Sequence, residues 1–409
     1  MYAFDIFTVL LVLSGIFSYL NSRLFHLPPT IGFMLGSLAL SLMLLGFRAA
    51  GADWAAALIL QLQNIDFGNA VLYGMLSFLL FAGSMQLELH EVLKQKWIIL
   101  TLSTVGVVIS TFVIGTGIHW VMGLIGMHIP YLYALGFGAL ISPTDPVIVI
   151  GMLKGSHAPK SLQVKVMGEA LFNDGISIVL FVILFALAGF GAQIDLTDIS
   201  LLIFQQLIGS AALGLLMGYI GHLLVQKIDS YTALIFITLG LVAFSYDLAI
   251  LLGTSGPITV VVLGLFFRNY KWDRRPEESP LRQLPVFWTL LDEFLNAALF
   301  VMMGLEILKL RFTPLFAAIG GIAIVVTLFG RWISVWIPVA IFRHFRPFTR
   351  RVVTFLTWGG LRGGISLALA LTLPPAPASK ALLAATYMVV LFSTVVQGLT
   401  FRQIIGRAA

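Results

Sequence analysis

A few ionisable side chains inside apolar stretches define the chemistry this sequence can perform. The first group is Ser142-Pro143-Thr144-Asp145-Pro146, set within the apolar run 131–152. Two prolines three positions apart remove two backbone donors and prevent an unbroken helix. The carbonyls so released need partners. A bound cation would satisfy them, with Thr144 and Asp145 adding oxygen ligands, and broken helices at mid-membrane are a recurring ion-site design in transporters. The other reading is a structural kink, with Asp145 paired to an arginine or capping a half-helix. The second group is Gly168-Glu169-Ala170-Leu171-Phe172-Asn173-Asp174-Gly175. Glu169 and Asn173 are four apart and share a helix face. Asp174 lies next to Asn173, so it can face the same cavity as Asp145 while Glu169 reaches elsewhere. Two desolvated carboxylates close together repel, which makes a site able to trade a proton for a cation. Against this, Glu169 in a first helical turn would simply be favoured by the helix dipole.

Two arginines fall inside apolar runs. Arg331, in 312–342, cannot shed its proton and needs a carboxylate; Glu169 is the first choice, giving a structural ion pair between helices. Snorkelling to the interface is the alternative. Arg362 stands in Trp358-Gly359-Gly360-Leu361-Arg362-Gly363-Gly364-Ile365-Ser366, whose glycines permit close crossing or local unwinding. There it could neutralise half-helix C-termini or pair with a carboxylate, or merely mark the end of a span. The run 287–308 carries Asp292, Glu293, Asn296 and Glu306, either lining a funnel or wetting a helix end. Asp247 and the Thr254-Ser255-Gly256-Pro257 break are weaker signals. None of the seven His adjoins the carboxylates in sequence; His26, His90, His128, His157 and His344 fall near membrane edges. There is no Walker A sequence and no HExxH. The absence of Cys excludes disulfides, thiolate-held metals and thiol catalysis.

The elements that position these residues must be membrane helices. Of the 409 residues 59% are hydrophobic and 10% charged, whereas a soluble domain carries about 25% charge. That excludes a soluble enzyme and argues against nucleic-acid binding. With about 20 apolar residues per crossing, the chain supplies roughly thirteen runs: 4–20, 28–47, 67–84, 97–126, 131–152, 167–190, 199–224, 230–247, 250–267, 287–308, 312–342, 353–372 and 379–401. The 53–63 stretch is short enough to be interfacial. Without a basic leader, 4–20 reads as a first span rather than a signal peptide. Eighteen of the 24 basic residues fall on alternate connections and the C-terminal tail, from Arg23, Lys94 and Lys96 to Arg402 and Arg407. Only Arg48, Lys309, Arg311 and Lys380 fall on the others. That bias places the N-terminus outside and the C-terminus in the cytoplasm, and accounts for most of the net charge of +6. The stretch Arg268 to Arg282 reads as a cytoplasmic linker, and no soluble regulatory domain is expected. No tandem repeat is evident, though breaks in both halves hint at an inverted one.

The segments SPTDP at 142–146, GEALFNDG at 168–175 and WGGLRGG at 358–364 resemble the signatures of the NhaP-like bacterial monovalent cation:proton antiporters, of the first cation–proton antiporter family within the sodium/hydrogen exchangers. FLLFAG at 78–83, LLDEFLNAALFVMMGLEI at 290–307 and FGRW at 329–332 resemble family segments in the same order. The resemblance spans nearly the whole chain. It implies an all-α polytopic membrane protein of about thirteen helices, with inverted repeats and two crossed discontinuous helices. It implies a homodimer in the lipid bilayer of a bacterial inner membrane, with no cofactor, nucleic acid or soluble partner. A core domain (roughly 67–190 and 287–401) would move in an elevator-like way against a dimerisation domain (roughly 1–50 and 199–267). Asp174 would bind the monovalent cation, helped by Thr144, Asp145 and Asn173; Glu169 would pair with Arg331; Arg362 and Asn296 would support the site. The Asn173-Asp174 pair goes with electroneutral exchange. Two departures remove oxygen near the site: Ala170, where many members have serine, and Ala82, where many have glutamate. They leave Na+, Li+ and K+ open as the preferred ion. A channel lacks a visible selectivity filter here, and an intramembrane aspartyl protease fits Asp145 and Asp174 only formally.

Overall fold

A computed structural model describes residues 3–154, 160–190, 196–226, 228–269, 280–310, 313–343, 351–374 and 377–406. His157, His344, Arg311 and most of the 268–282 linker lie outside the described residues, as do Lys227, Arg346, Arg350 and Arg407. Every described element is helical, as lipid demands of a backbone that must satisfy its own polar groups.

In chain order the principal helices are α1 (Phe4–Phe25), α2 (Pro29–Ala49), α3 (Asp53–Gln63), α4 (Phe67–Met85), α5 (Lys96–Leu124), α6 (Tyr131–Leu140), α7 (Val147–Lys154), α8 (Lys160–Phe190), α9 (Thr197–Val225), α10 (Tyr231–Leu251), α11 (Gly256–Asn269), α12 (Leu281–Lys309), α13 (Pro314–Phe342), α14 (Val352–Trp358), α15 (Gly364–Leu371) and α16 (Ala378–Phe401). Among the described residues ten are long and apolar enough to cross a membrane; α6 and α11 are shorter apolar helices. The chain is thus a multi-pass α-helical membrane protein. Its apolar runs do not translate one-for-one into single long helices. The run 131–152 is split into α6 and α7 by the prolines, and 353–372 into α14 and α15 by the glycines. Within the run 250–267, α10 ends at Leu251 and α11 begins at Gly256, after a turn with Gly253 at φ 67°. The 53–63 stretch folds as α3, too short to span. At the end of α1, Asn21 bridges its own turn: its Nδ2 donates to Leu27 O (2.8 Å) and its Oδ1 accepts from Leu27 N (3.1 Å), around a left-handed His26.

Helix association in lipid relies on close packing through small residues, and the bundle shows it. A Cβ on Gly115 of α5 would meet Leu135 Cα of α6 at 2.7 Å, and one on Gly138 of α6 would strike the Thr111 carbonyl of α5. Ser41 Oγ of α2 donates to Gly304 O of α12 at 3.1 Å. One group of helices is formed by α5 packed on α6 and α13, α6 on α8, and α13 on α16. Another is formed by α9, α10 and α11. Although α4 and α12 fall in the ranges expected for the core domain, they pack chiefly against α2 and α11 and against each other. The most hydropathic windows of α1 and α9 are only 17% buried, against 61% for α4 and α16, so α1 and α9 lie at the periphery.

The α5–α6 contact is the tightest support of the break that follows α6. Gly138→Val should prise the pair apart, at an overpacking cost of about 1–3 kcal/mol. Thermal unfolding in detergent should show a lower midpoint; an unchanged midpoint would mean that the contact has slack.

Candidate functional site

The proline break and the glycine break meet. Asp145 N–H donates to Leu361 O at 2.7 Å, joining the non-helical segments 142–146 and 359–363. Arg362 closes the junction: its Nη1 donates to Ser142 O (2.6 Å) and Pro143 O (3.0 Å), and its backbone N–H donates to Ser393 Oγ of α16 (2.8 Å). The carbonyls just beyond the C-terminus of α6 thus face a fixed cation, the charge complement a helix end favours. Asp145 Oδ1 accepts from Val147 N–H at 2.9 Å and caps α7. Glycine is required beside it, because a Cβ on Gly363 would lie 2.5 Å from Asp145 Oδ2.

Helix α8 brings Asn173 and Asp174 to the same place. Asn173 Nδ2 donates to Thr144 Oγ1 at 2.7 Å, and its Oδ1 faces Thr144 N at 3.4 Å, fixing the unwound segment to an intact helix. Asp174 is 7% exposed. Asp145 and Asp174 line one cavity of about 910 Å³, together with Thr144, Gly363, Ser366, Gln86, Asp292, Glu293, Asn296 and His26. Asn296 is tied to Asp292 rather than to Asp174: its Nδ2 donates to Asp292 O (2.9 Å) and Oδ1 (3.0 Å), while Gln86 Nε2 reaches Asp292 Oδ2 at 3.2 Å. Glu306, from the same run, does not line the cavity. It lies at the other end of α12, 3.0 Å from Lys309, whose ammonium also donates to Ile65 O at 2.6 Å. Asp247 is exposed and outside the site.

Glu169 and Arg331 lie behind the junction. Arg331 Nη1 and Glu169 Oε1 are 2.5 Å apart, both side chains buried. The guanidinium also donates from Nε and Nη2 to Leu356 O at 3.3 and 3.1 Å. Gly360 passes directly over it, where any Cβ would collide. The glycine-rich segment therefore has two separate reasons for lacking side chains, Arg331 on one side and Asp145 on the other. Three participants escape sequence reasoning: the Leu361 carbonyl, Ser393 and Gly363 as a spacer. A backbone acceptor has no residue signature, and Ser393 is one small hydroxyl in a helix rich in them.

A bundle of membrane helices in which two interrupted helices meet at carboxylates, beside a wide cavity, defines a secondary active ion transporter. The chain belongs to the sodium/hydrogen exchanger family, whose transmembrane family model matches residues 8–406. It is 37% identical to the Na+/H+ antiporter NhaP of Pseudomonas aeruginosa, over 98% of this chain and 96% of that one. It is 32% identical to the Na+/H+ antiporter NhaH of Halobacillus aidingensis, over 94% and 93%. Its fold is similar to that of the sodium proton antiporter MjNhaP1 of Methanocaldococcus jannaschii, with a TM-score of 0.75, 17% identity, and coverage of 100% and 99%. The chain is accordingly a secondary active cation/proton antiporter and not an enzyme.

Removing one member of a buried ion pair strands the other. Glu169→Gln should destabilise the bundle by about 3–5 kcal/mol, read as a lower unfolding midpoint. Arg331→Lys should not substitute, because an ammonium cannot reach Glu169 and Leu356 O as a planar fork does. A Lys variant with the native midpoint would refute the fork argument.

Proposed function

We propose that this antiporter exchanges protons for a monovalent cation, Na+ first, with Asp174 holding either the cation or the proton. The observation that carries the reading is the placement of Asp174 and Asp145 in one cavity at a junction of broken helices, where backbone and Thr144 oxygens are at hand. Competition at one carboxylate couples the fluxes. Cation-loaded and proton-loaded forms then carry the same charge, and the empty form is the costly one to move across the membrane. One charge is exchanged for one, so exchange is electroneutral.

Counting each broken pair as one crossing and adding α11 to the ten long helices gives thirteen, the number the basic bias supports. The two interrupted pairs, one in each half, support a pair of inverted repeats with crossed discontinuous helices. The cavity lining includes His26 and Gln86, which follow the ends of α1 and α4 at the connections that hold Arg23, Lys94 and Lys96; this supports an N-out, C-in topology in a bacterial inner membrane and a cavity open to the cytoplasm. In the proposed elevator the moving core carries α5 to α8 and α13 to α16. The packing of α4 and α12 on α2 and α11 supports placing those two on the static side, narrowing the core expected from sequence. The apolar outer faces of α1 and α9, with Phe4, Phe7, Leu201 and Phe204 exposed, suit lipid and a second copy. A second reading, K+ preference, is favoured by Ala82 and Ala170, both 1% exposed and both lacking an oxygen ligand.

Proteoliposomes under voltage clamp, scanned with Na+, Li+ and K+, test the proposal. Asp174→Asn should reduce cation-dependent proton flux to background while the protein stays folded, and Asp145→Asn should cripple it; sustained flux in Asp174→Asn would end the competition model. Asn173→Ala, which releases Thr144, should weaken apparent cation affinity about ten- to a hundredfold. Because proton and cation compete, the apparent KM for the cation should rise as pH falls. A KM independent of pH would require separate sites.

A further inference from the structure

The Thr144–Asp145 segment is a partition. On one side is the 910 Å³ cavity. On the other is a small cavity of about 10 Å³, lined by Thr144, Asp145, Glu169, Ala170 and Arg331 among others. It has the size of a single water, which needs roughly 10–15 Å³ and two to four polar partners. Its walls offer those partners: two carboxylates that accept, a guanidinium that donates only, and a hydroxyl. It is too small for a hydrated ion. Ala170, itself 1% exposed, lines it.

We infer that this cavity is a structural water site linking Asp145 to the Glu169–Arg331 pair, and that Ala170 is the residue that makes room for it. A water there accepts from the Arg331 guanidinium and donates to carboxylate oxygens on both sides. It connects a carboxylate at the transport site to an ion pair that never meets the cation. The fixed pair then orients Asp145 from behind, while Val147 N–H and Leu361 O hold it from the front. Position 170 becomes a determinant of cation affinity without being a ligand: a small side chain keeps the water, a hydroxyl replaces it, and a larger apolar one expels it. The functional consequence rests on the proposed cation site at Asp145 and Asp174; the water site itself does not.

Two variants and one direct observation test this. Ala170→Ser places a hydroxyl in the cavity without the entropic cost of holding a free water. Apparent cation affinity should tighten roughly three- to tenfold, with Asp174 unaltered. Ala170→Val fills the cavity with methyl groups and should lower affinity while the purified protein keeps its elution profile and cation-independent stability. An experimental structure at a resolution that shows water should place a peak between Asp145 and Arg331 in the wild type, absent in Ala170→Val. An unchanged cation KM in Ala170→Ser would overturn the inference, whether or not the Val variant folds. So would a dry cavity in the wild type, even if the cation site at Asp145 and Asp174 proved wrong. A wild type with the water peak, together with sustained flux in Asp174→Asn, would support the water site and reject the proposed cation site.

Discussion

The structure depends on one constraint: two unwound segments in the middle of a membrane must satisfy each other's backbone. Proline deletes donors from 142–146 and glycine loosens 359–363, so neither segment is tolerable alone in lipid. Together they are. The Asp145 N–H finds the Leu361 carbonyl, and the Ser142 and Pro143 carbonyls find the Arg362 guanidinium. The close helix packing around them, Gly138 on Thr111 and Gly360 on Arg331, holds the junction rigid. A carboxylate held in such a junction is fixed in direction and partly removed from water.

Charge is placed by the same economy. Arg331 is a permanent cation with no aqueous exit, so it is matched by Glu169 and by a helix carbonyl. Arg362 uses carbonyl dipoles as partners. Neither arginine pairs with Asp174, which leaves that aspartate available to the wide cavity. The division keeps the Glu169–Arg331 pair apart from Asp174, which lines the wide cavity.

Much of this was legible in the linear chain because its scarcest residues are its costliest ones. With 10% charge in an apolar protein, each ionisable group inside a run stands out, and the Glu169–Arg331 proximity could be anticipated from the need to neutralise a buried guanidinium. The breaks could be placed from Pro143, Pro146 and the glycine run, since these act locally on the backbone. Asn296 was less legible: a spacing of four fixed its relation to Asp292, but nothing local could say that Gln86, some two hundred positions away, shares that carboxylate. Glu306 is two helical turns or more further along the same helix and serves the opposite end, anchoring Lys309 and the Ile65 carbonyl.

The sequence by itself determined the solvent, the positions of the broken helices and the family, because hydropathy, proline chemistry and short motifs are local properties. Tertiary structure alone decided which break meets which, that Asn173 grips Thr144 while Asp174 faces the cavity, and that α4 and α12 lean on α2 and α11 instead of on the helices nearest them in the expected core. It also decided that Ala170 borders a small cavity lined by Asp145 and Arg331. Contacts of this kind join residues far apart in the chain, and their energies reside in packing and in shared hydrogen bonds that no single residue type encodes.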